Sequence, residues 1–257
     1  IWSGMKTIQE IVESSATAVI DPESVKIVLP DFEMPAGGTN FEAAVALSDP
    51  ISTFVSKDLI DRTEDNGIPN VETRLVVTHA PAGWSSLLDR SKWEFGISAV
   101  YGEFRKFYGL SAPFDVRTNH VRGISIDGGV SLSSRLALQG EVWTGQALGN
   151  YGAAIGASVN PLTRREVQGV GGWGEVALAW SGKAYSTFGY GLDSPDREQL
   201  VPGDKTRNET VWGNIFWRAA PWLRLGLEGT WRRTQYLLPT GGSRSNDGSG
   251  LLMTTAF

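Results

Sequence analysis

The sequence predicts an all-β chain, an antiparallel up-and-down β-barrel of the membrane-spanning kind. Three observations predict it. Hydrophobic residues recur with a period of two rather than the helical period. Connections counted back from the C-terminus alternate between long and tight, which fits a meander with one decorated rim and one plain rim. Tryptophans gather near strand ends, where amphipathic indoles suit the two faces of an apolar band.

The elements follow in order. Met5, Ile8, Ile11 and Val12 have helical spacing, and Asp21-Pro22 ends the segment. Residues 5–24 therefore read as a short helical segment, either decorating a surface or folded into the barrel. Residues 25–32 could form one more strand, made short or irregular by Pro30. Strands follow at 41–47, at 71–80 (Val71, Leu75, Val77 against Glu72, Arg74, Thr78) and at 92–102 (Trp93, Phe95, Ile97, Ala99, Tyr101). Residues 121–132 set Ile124, Ile126, Val130 and Leu132 against Ser125, Asp127 and Ser131. Residues 136–144 set Leu136, Leu138 and Val142 against Gln139 and Glu141. Residues 172–181 set Val176, Leu178 and Trp180 against Glu175. A Gly- and aromatic-rich strand covers 184–191. Val211, Ile215 and Trp217 alternate with Thr210, Asn214 and Arg218 over 210–219. Residues 221–238 place Leu223, Leu225, Leu227 and Trp231 opposite Arg224, Glu228, Thr230, Arg232 and Thr234, and 251–257 closes the chain. Long connections are expected at 107–120, 148–168, 192–205 and 239–249, and tight ones at 133–135, 181–183 and 219–221. Trp180, Trp217 and Trp222 sit beside tight turns, while Trp143 and Trp231 lie toward long-loop ends, so all five are expected as membrane-interface aromatics.

Composition narrows the function classes. The 257 residues carry a net charge of −5, which argues against general nucleic-acid binding. There is no cysteine, hence no disulfide, thiolate metal site or cysteine nucleophile. The two histidines, His79 and His120, are far apart, and neither is expected to be a ligand or a catalyst. No apolar run reaches the roughly 18 residues of a transmembrane helix. The opening Ile1-Trp2-Ser3-Gly4 carries no signal-peptide pattern, and it reads as a mature chain or fragment expected to lack its N-terminal strands.

Several motifs mislead. Gly169 to Gly174 matches G-x-G-x-x-G, but a strand pattern follows where a dinucleotide site needs a helix. Asp193, Asp196, Glu198 and Asp204 crowd one connection; a calcium loop and a solvated acidic loop both fit, the second better. No Ser/His/Asp set or paired-carboxylate site is defensible, so no enzyme, metal or cofactor is expected.

The residues also resemble a family. Pro35–Pro50, Gly67–Val77, Gly189–Asp196, Arg207–Trp217 and Leu223–Tyr236 resemble turns and strands of Gram-negative porins of the DcaP-like type, over most of the chain. Met5–Ser24 looks like the loop that folds into the lumen of such porins, making Lys6, Glu10, Glu13, Asp21 and Glu23 its charged groups. Phe257 looks like their C-terminal signal, read by the barrel-assembly machinery and placed at the periplasmic interface. The resemblance implies a barrel of about 16 strands in the bacterial outer membrane. It further implies a homotrimer that contacts outer-membrane lipid and lipopolysaccharide and passes small hydrophilic solutes, dicarboxylates among them. About ten to twelve of those strands are expected here, in a single β-barrel domain over 1–257.

By parity, Glu72, Arg74, Asp127, Glu141, Glu175, Asn214, Arg218, Arg224, Glu228 and Arg232 are the expected pore lining. The arginines of the last strands would suit carboxylates, or Arg224, Glu228 and Arg232 would pair among themselves. The leading reading is passive diffusion through a water-filled lumen. The alternative is an anchoring outer-membrane barrel with a plugged lumen and partner-binding loops. An outer-membrane enzyme and a soluble β-sandwich lectin are weaker readings.

Overall fold

The computed structural model describes residues 25–28, 32–34, 38–48, 69–88, 90–108, 115–220 and 223–256. Its strands are β1 (Val25–Val28), β2 (Phe32–Met34), β3 (Thr39–Ser48), β4 (Asn70–His79), β5 (Trp93–Tyr108) and β6 (Asp115–Ser131). β7 (Leu136–Gln146), β8 (Gln168–Ser181), β9 (Ala184–Pro195), β10 (Lys205–Ala220), β11 (Leu223–Leu237) and β12 (Ser243–Ala256) complete them. All belong to one sheet, and from β3 to β12 each strand pairs antiparallel with the next in sequence. The up-and-down meander read from the alternation is therefore the fold. Helical turns among the described residues are single 3₁₀ turns.

β1 and β2 lie end to end on β3. Val25 to Val28 face Leu47 to Ala44, and Phe32 to Met34 face Phe41 to Thr39. The expected strand over 25–32 is present at 25–28, and its last residue opens β2; residues 29–31, Pro30 among them, lie outside the described residues.

The sheet has two unlike faces. One is apolar and exposed: Phe95, Tyr101, Ile124, Val142, Phe188, Ile215 and Met253 stand free on it, with Leu75, Val170 and Leu251. The other is polar and, from β3 to β9, largely buried: Ser48, Asn70, Glu72, Arg74, Ser98, Asn119, Ser125, Asp127, Glu141 and Asp193 all belong to it. A soluble sheet does the reverse.

Among the described residues, two connections cover the polar face. Residues 147–167, between β7 and β8, fold back over it with Leu148–Tyr151 and Ala154–Gly156 as 3₁₀ turns. Their apolar side chains join Val100, Phe104, Val121 and Trp143 in the buried cluster that Leu148, Tyr151, Ala153 and Ala154 complete. This corrects the expectation for Trp143. It is 8% exposed and packed under the connection, not an interface aromatic. Its parity with Gln139 and Glu141 puts it on the polar face, where its ring lies against Gly171, whose ideal Cβ would come within 2.5 Å.

Residues 80–92, between β4 and β5, form the second cover. They leave on the rim of tight turns, where a short connection fits the alternation, yet run for a dozen residues or so. Gly83 (φ +77°) turns the chain, and the Trp84 N–H donates to Pro81 O at 2.9 Å. The connection at 239–249 also differs from expectation. β12 already begins at Ser243 and pairs with Leu237, so the long loop there reduces to a few residues.

Candidate functional site: the polar face and its covers

A polar belt crosses the covered face from β3 to β10. Ser48 Oγ donates to Glu72 Oε1 across β3 and β4. Arg74 on β4 reaches over β5 to Asp127 on β6 with two bonds, 2.6 and 3.0 Å, and donates to Ser98 Oγ at 3.0 Å on the way. This bidentate pair is 7% exposed on each side chain. Burial of that kind is tolerated because fork geometry satisfies both oxygens. Glycine makes the crossing possible. A Cβ at Gly96 would stand 2.6 Å from both Asp127 oxygens and 2.9 Å from Arg74 Nη2.

The same device recurs four strands on. Trp212 of β10 lies flat across Gly189 of β9, where a Cβ would meet its ring at 2.1 Å. Its indole N–H thereby reaches Glu175 Oε2 of β8 at 2.9 Å. Gln139 of β7 donates to the other Glu175 oxygen at 2.8 Å, and Trp173 Nε1 donates to Glu141 Oε2 at 3.3 Å. Asn214 accepts the Thr187 N–H at 3.0 Å. Every pair but that one links side chains of one face, and the Arg74–Asp127 and Trp212–Glu175 pairs span a whole intervening strand.

The remaining expected lining residues lie on β10 and β11. Arg218 and Arg224 border a cavity of about 250 Å³ at the tight-turn rim, together with Arg90 and Lys183. Arg224 stands 6.0 Å from the Tyr185 ring. Glu228 and Arg232 share a face of β11. A second cavity, about 300 Å³, is bordered by Arg90, Glu94, Asp127, Gln139 and Trp173. Lys6, Glu10, Glu13, Asp21, Glu23, Trp222 and Phe257, and the segment 5–24 as a whole, lie outside the described residues.

Trp180 (58%), Trp217 (53%) and Trp231 (36%) are exposed on the apolar face. Near Trp231 that face turns polar. Glu209, Arg233 and Asp247 are register neighbours across β10, β11 and β12. The Arg233–Asp247 pair is bidentate at 3.0 and 3.2 Å, and Arg233 also covers the Trp231 ring at 5.1 Å. Leu251 and Met253 sit on the same face, opposite Gly229 and Leu227.

The acidic group in the β9–β10 region disperses. Asp193 is buried on the polar face, where its Oδ2 accepts the Ile155 N–H of the 147–167 cover at 2.9 Å. Asp196 Oδ1 accepts the Glu198 N–H at 3.0 Å, and Asp204 Oδ2 accepts the Val201 N–H at 2.9 Å. They shape turns, and among the described residues no group of three or more potential ligands is poised for a metal. His79 stacks on Trp93 at 5.3 Å, and His120 Nδ1 is 3.7 Å from Glu166.

With this geometry, the fold matches that of a known channel. The outer membrane channel DcaP of Acinetobacter baumannii aligns with TM-score 0.62 at 13% identity, over 91% of this chain and 61% of that one. The chain thus spans about three fifths of that channel's length, and the likeness establishes the fold. Neither a family model nor a curated protein sequence matches the chain.

Proposed function

We propose that the chain is the larger part of an outer-membrane porin, passing small hydrophilic solutes along its polar face. One observation carries this reading: the sheet is inside out. Large apolar side chains stand exposed on one face of every strand from β3 to β12, while charged and polar groups are buried on the other from β3 to β10. Water tolerates apolar patches of only a few hundred Å² on a monomer; lipid accepts the whole face. On β5 the apolar stretch from Trp93 to Tyr101 is ~27 Å of extended strand, comparable with the ~25 Å band of outer-membrane barrels. Trp180 and Trp217 toward the tight-turn rim, and Trp231 beside the Glu209–Arg233–Asp247 row, supply interfacial aromatics in this reading.

The cation-lined cavity at the tight-turn rim favours anions, carboxylates among them, since guanidinium forks match them bidentately. Reversal potentials across planar bilayers under a salt gradient test this. Anion preference reduced by combining Arg218→Ala with Arg224→Ala supports it; cation preference indifferent to both substitutions contradicts it. The 147–167 cover gives weight to a second reading, an anchoring barrel with a plugged lumen. Folded protein that inserts but carries no current would favour that one.

A further inference from the structure

The β4–β5 connection leaves the rim where the neighbouring turns are tight, and it does not stay there. Its Leu87 N–H donates to Ser134 O at 2.8 Å, in the turn between β6 and β7. Lys92 Nζ reaches Ser131 O at 2.7 Å and lies 4.5 Å from the Trp84 ring centroid, while Trp84 Nε1 donates to Arg90 O at 3.1 Å. The segment is thus folded on itself and pinned to β6 and the following turn. From there Arg90 extends inward, donating from Nη1 to Gln139 Oε1 on the polar face of β7.

Arg90 borders both cavities. On one side lie Glu94, Asp127 and Trp173, with Asp127 held by Arg74. On the other lie Lys183, Arg218 and Arg224, together with Leu87 and Leu88 of the same connection. Leu87, Leu88 and Arg90 therefore reach from the β4–β5 rim across to side chains of β10 and β11. Gln139 is a neutral partner, so the bond that holds the guanidinium leaves its positive charge uncompensated by that contact. A fixed charge in a narrow, partly desolvated passage discriminates between ions by sign.

We propose that the 80–92 connection is a constriction at the tight-turn end of the polar passage, and that Arg90 is its charge-selecting side chain. This rests on the porin reading above and adds a residue and a location to it. The selecting element is a connection on the rim of short turns, separate from the segment 5–24 and from the 147–167 cover.

The test uses the complete protein in planar bilayers. Arg90→Glu should move the reversal potential toward cation preference and change conductance several-fold at about 0.1 M salt. The effect should shrink at about 1 M, where the screening length falls to about 3 Å. This chain has no cysteine, so with any cysteine outside it changed to serine, Arg90→Cys offers a single thiol. In channels already conducting, a negatively charged thiosulfonate reagent should reduce anion current, and faster from the tight-turn side than from the long-loop side. Unchanged reversal potential in Arg90→Glu, or a thiol that reacts without altering current, overturns this proposal while leaving the porin reading intact. Folded wild-type protein without any current overturns both.

Discussion

The two covers of the polar face are built from different chemistry. The 147–167 cover is an apolar seal. Leu148 is 1% exposed, Ala147 is fully buried, and Tyr151 and Ala154 pack with Trp143 and Phe104 beneath them. It also holds unusual backbone: Ala147, Ala154 and Ile155 have φ of 56°, 50° and 51°, in the left-handed region that costs a non-glycine residue about 1 kcal/mol or more. The 80–92 cover is held by polar tethers, Leu87 to Ser134, Lys92 to Ser131 and Arg90 to Gln139, and cavities flank it on both sides. The difference teaches where water belongs. Packing excludes water beneath one cover; hydrogen bonds leave room beside the other.

The contrast can be broken most forcefully at its apolar end. Trp143→Ala removes a buried indole and the floor under Ala154, and should cost about 3–5 kcal/mol, read as a lower midpoint in urea unfolding from detergent or lipid. Leu148→Ala should follow at about 2–5 kcal/mol, with trypsin now cutting after Arg164 or Arg165 while the strands stay intact. Asp193→Ala withdraws the acceptor of the Ile155 N–H and should cost about 1–3 kcal/mol. Its fingerprint is faster amide exchange confined to 147–167. At the polar end, Gln139→Leu releases both Arg90 and one Glu175 oxygen, and because these part-exposed groups can turn to water it should cost only about 1 kcal/mol. It should alter current noise more than unfolding. Equal stability losses at both ends would erase the distinction between a seal and a tether.

Much of the fold was legible because alternation reports a strand with different solvents on its two sides. Ile124 and Ile126 against Ser125 and Asp127 fixed the faces of β6 before any coordinate did. Alternation is silent where both sides meet water. That is why Asp115–Thr118 of β6 and Ser243–Gly248 of β12 read as loop although they are strand. There the ladder continues past the apolar band, and its side chains carry no pattern.

The belt was legible as residue types but not as partners. Glu72, Arg74, Asp127, Glu141 and Glu175 follow from parity, whereas the reach of Arg74 over Gly96, or of Trp212 over Gly189, depends on which residues stand opposite in register. Trp143 was misplaced because a tryptophan near a strand end suggests an interface. Its parity with Glu141, together with the apolar Leu148, Tyr151 and Ala153 just beyond, held the signal for a buried floor. Arg90 had no local signature at all. A connection of ordinary loop composition gave no hint that it crosses the sheet, beyond its length on a rim of short turns.

The central claim is that lipid lies on one face of this sheet and water on the other. Because the chain contains no cysteine, single nitroxide labels can be placed at Leu138, Val142 and Val176 on the apolar face, and at Gln139, Trp173 and Thr187 on the polar face. Collision with oxygen and with a water-soluble nickel chelate is then measured in reconstituted vesicles. Labels on the first set should be accessible to oxygen and shielded from nickel. Labels on the second should favour nickel or be shielded from both. Nickel access to Leu138, Val142 and Val176 equal to that of the polar set would contradict a membrane-spanning barrel.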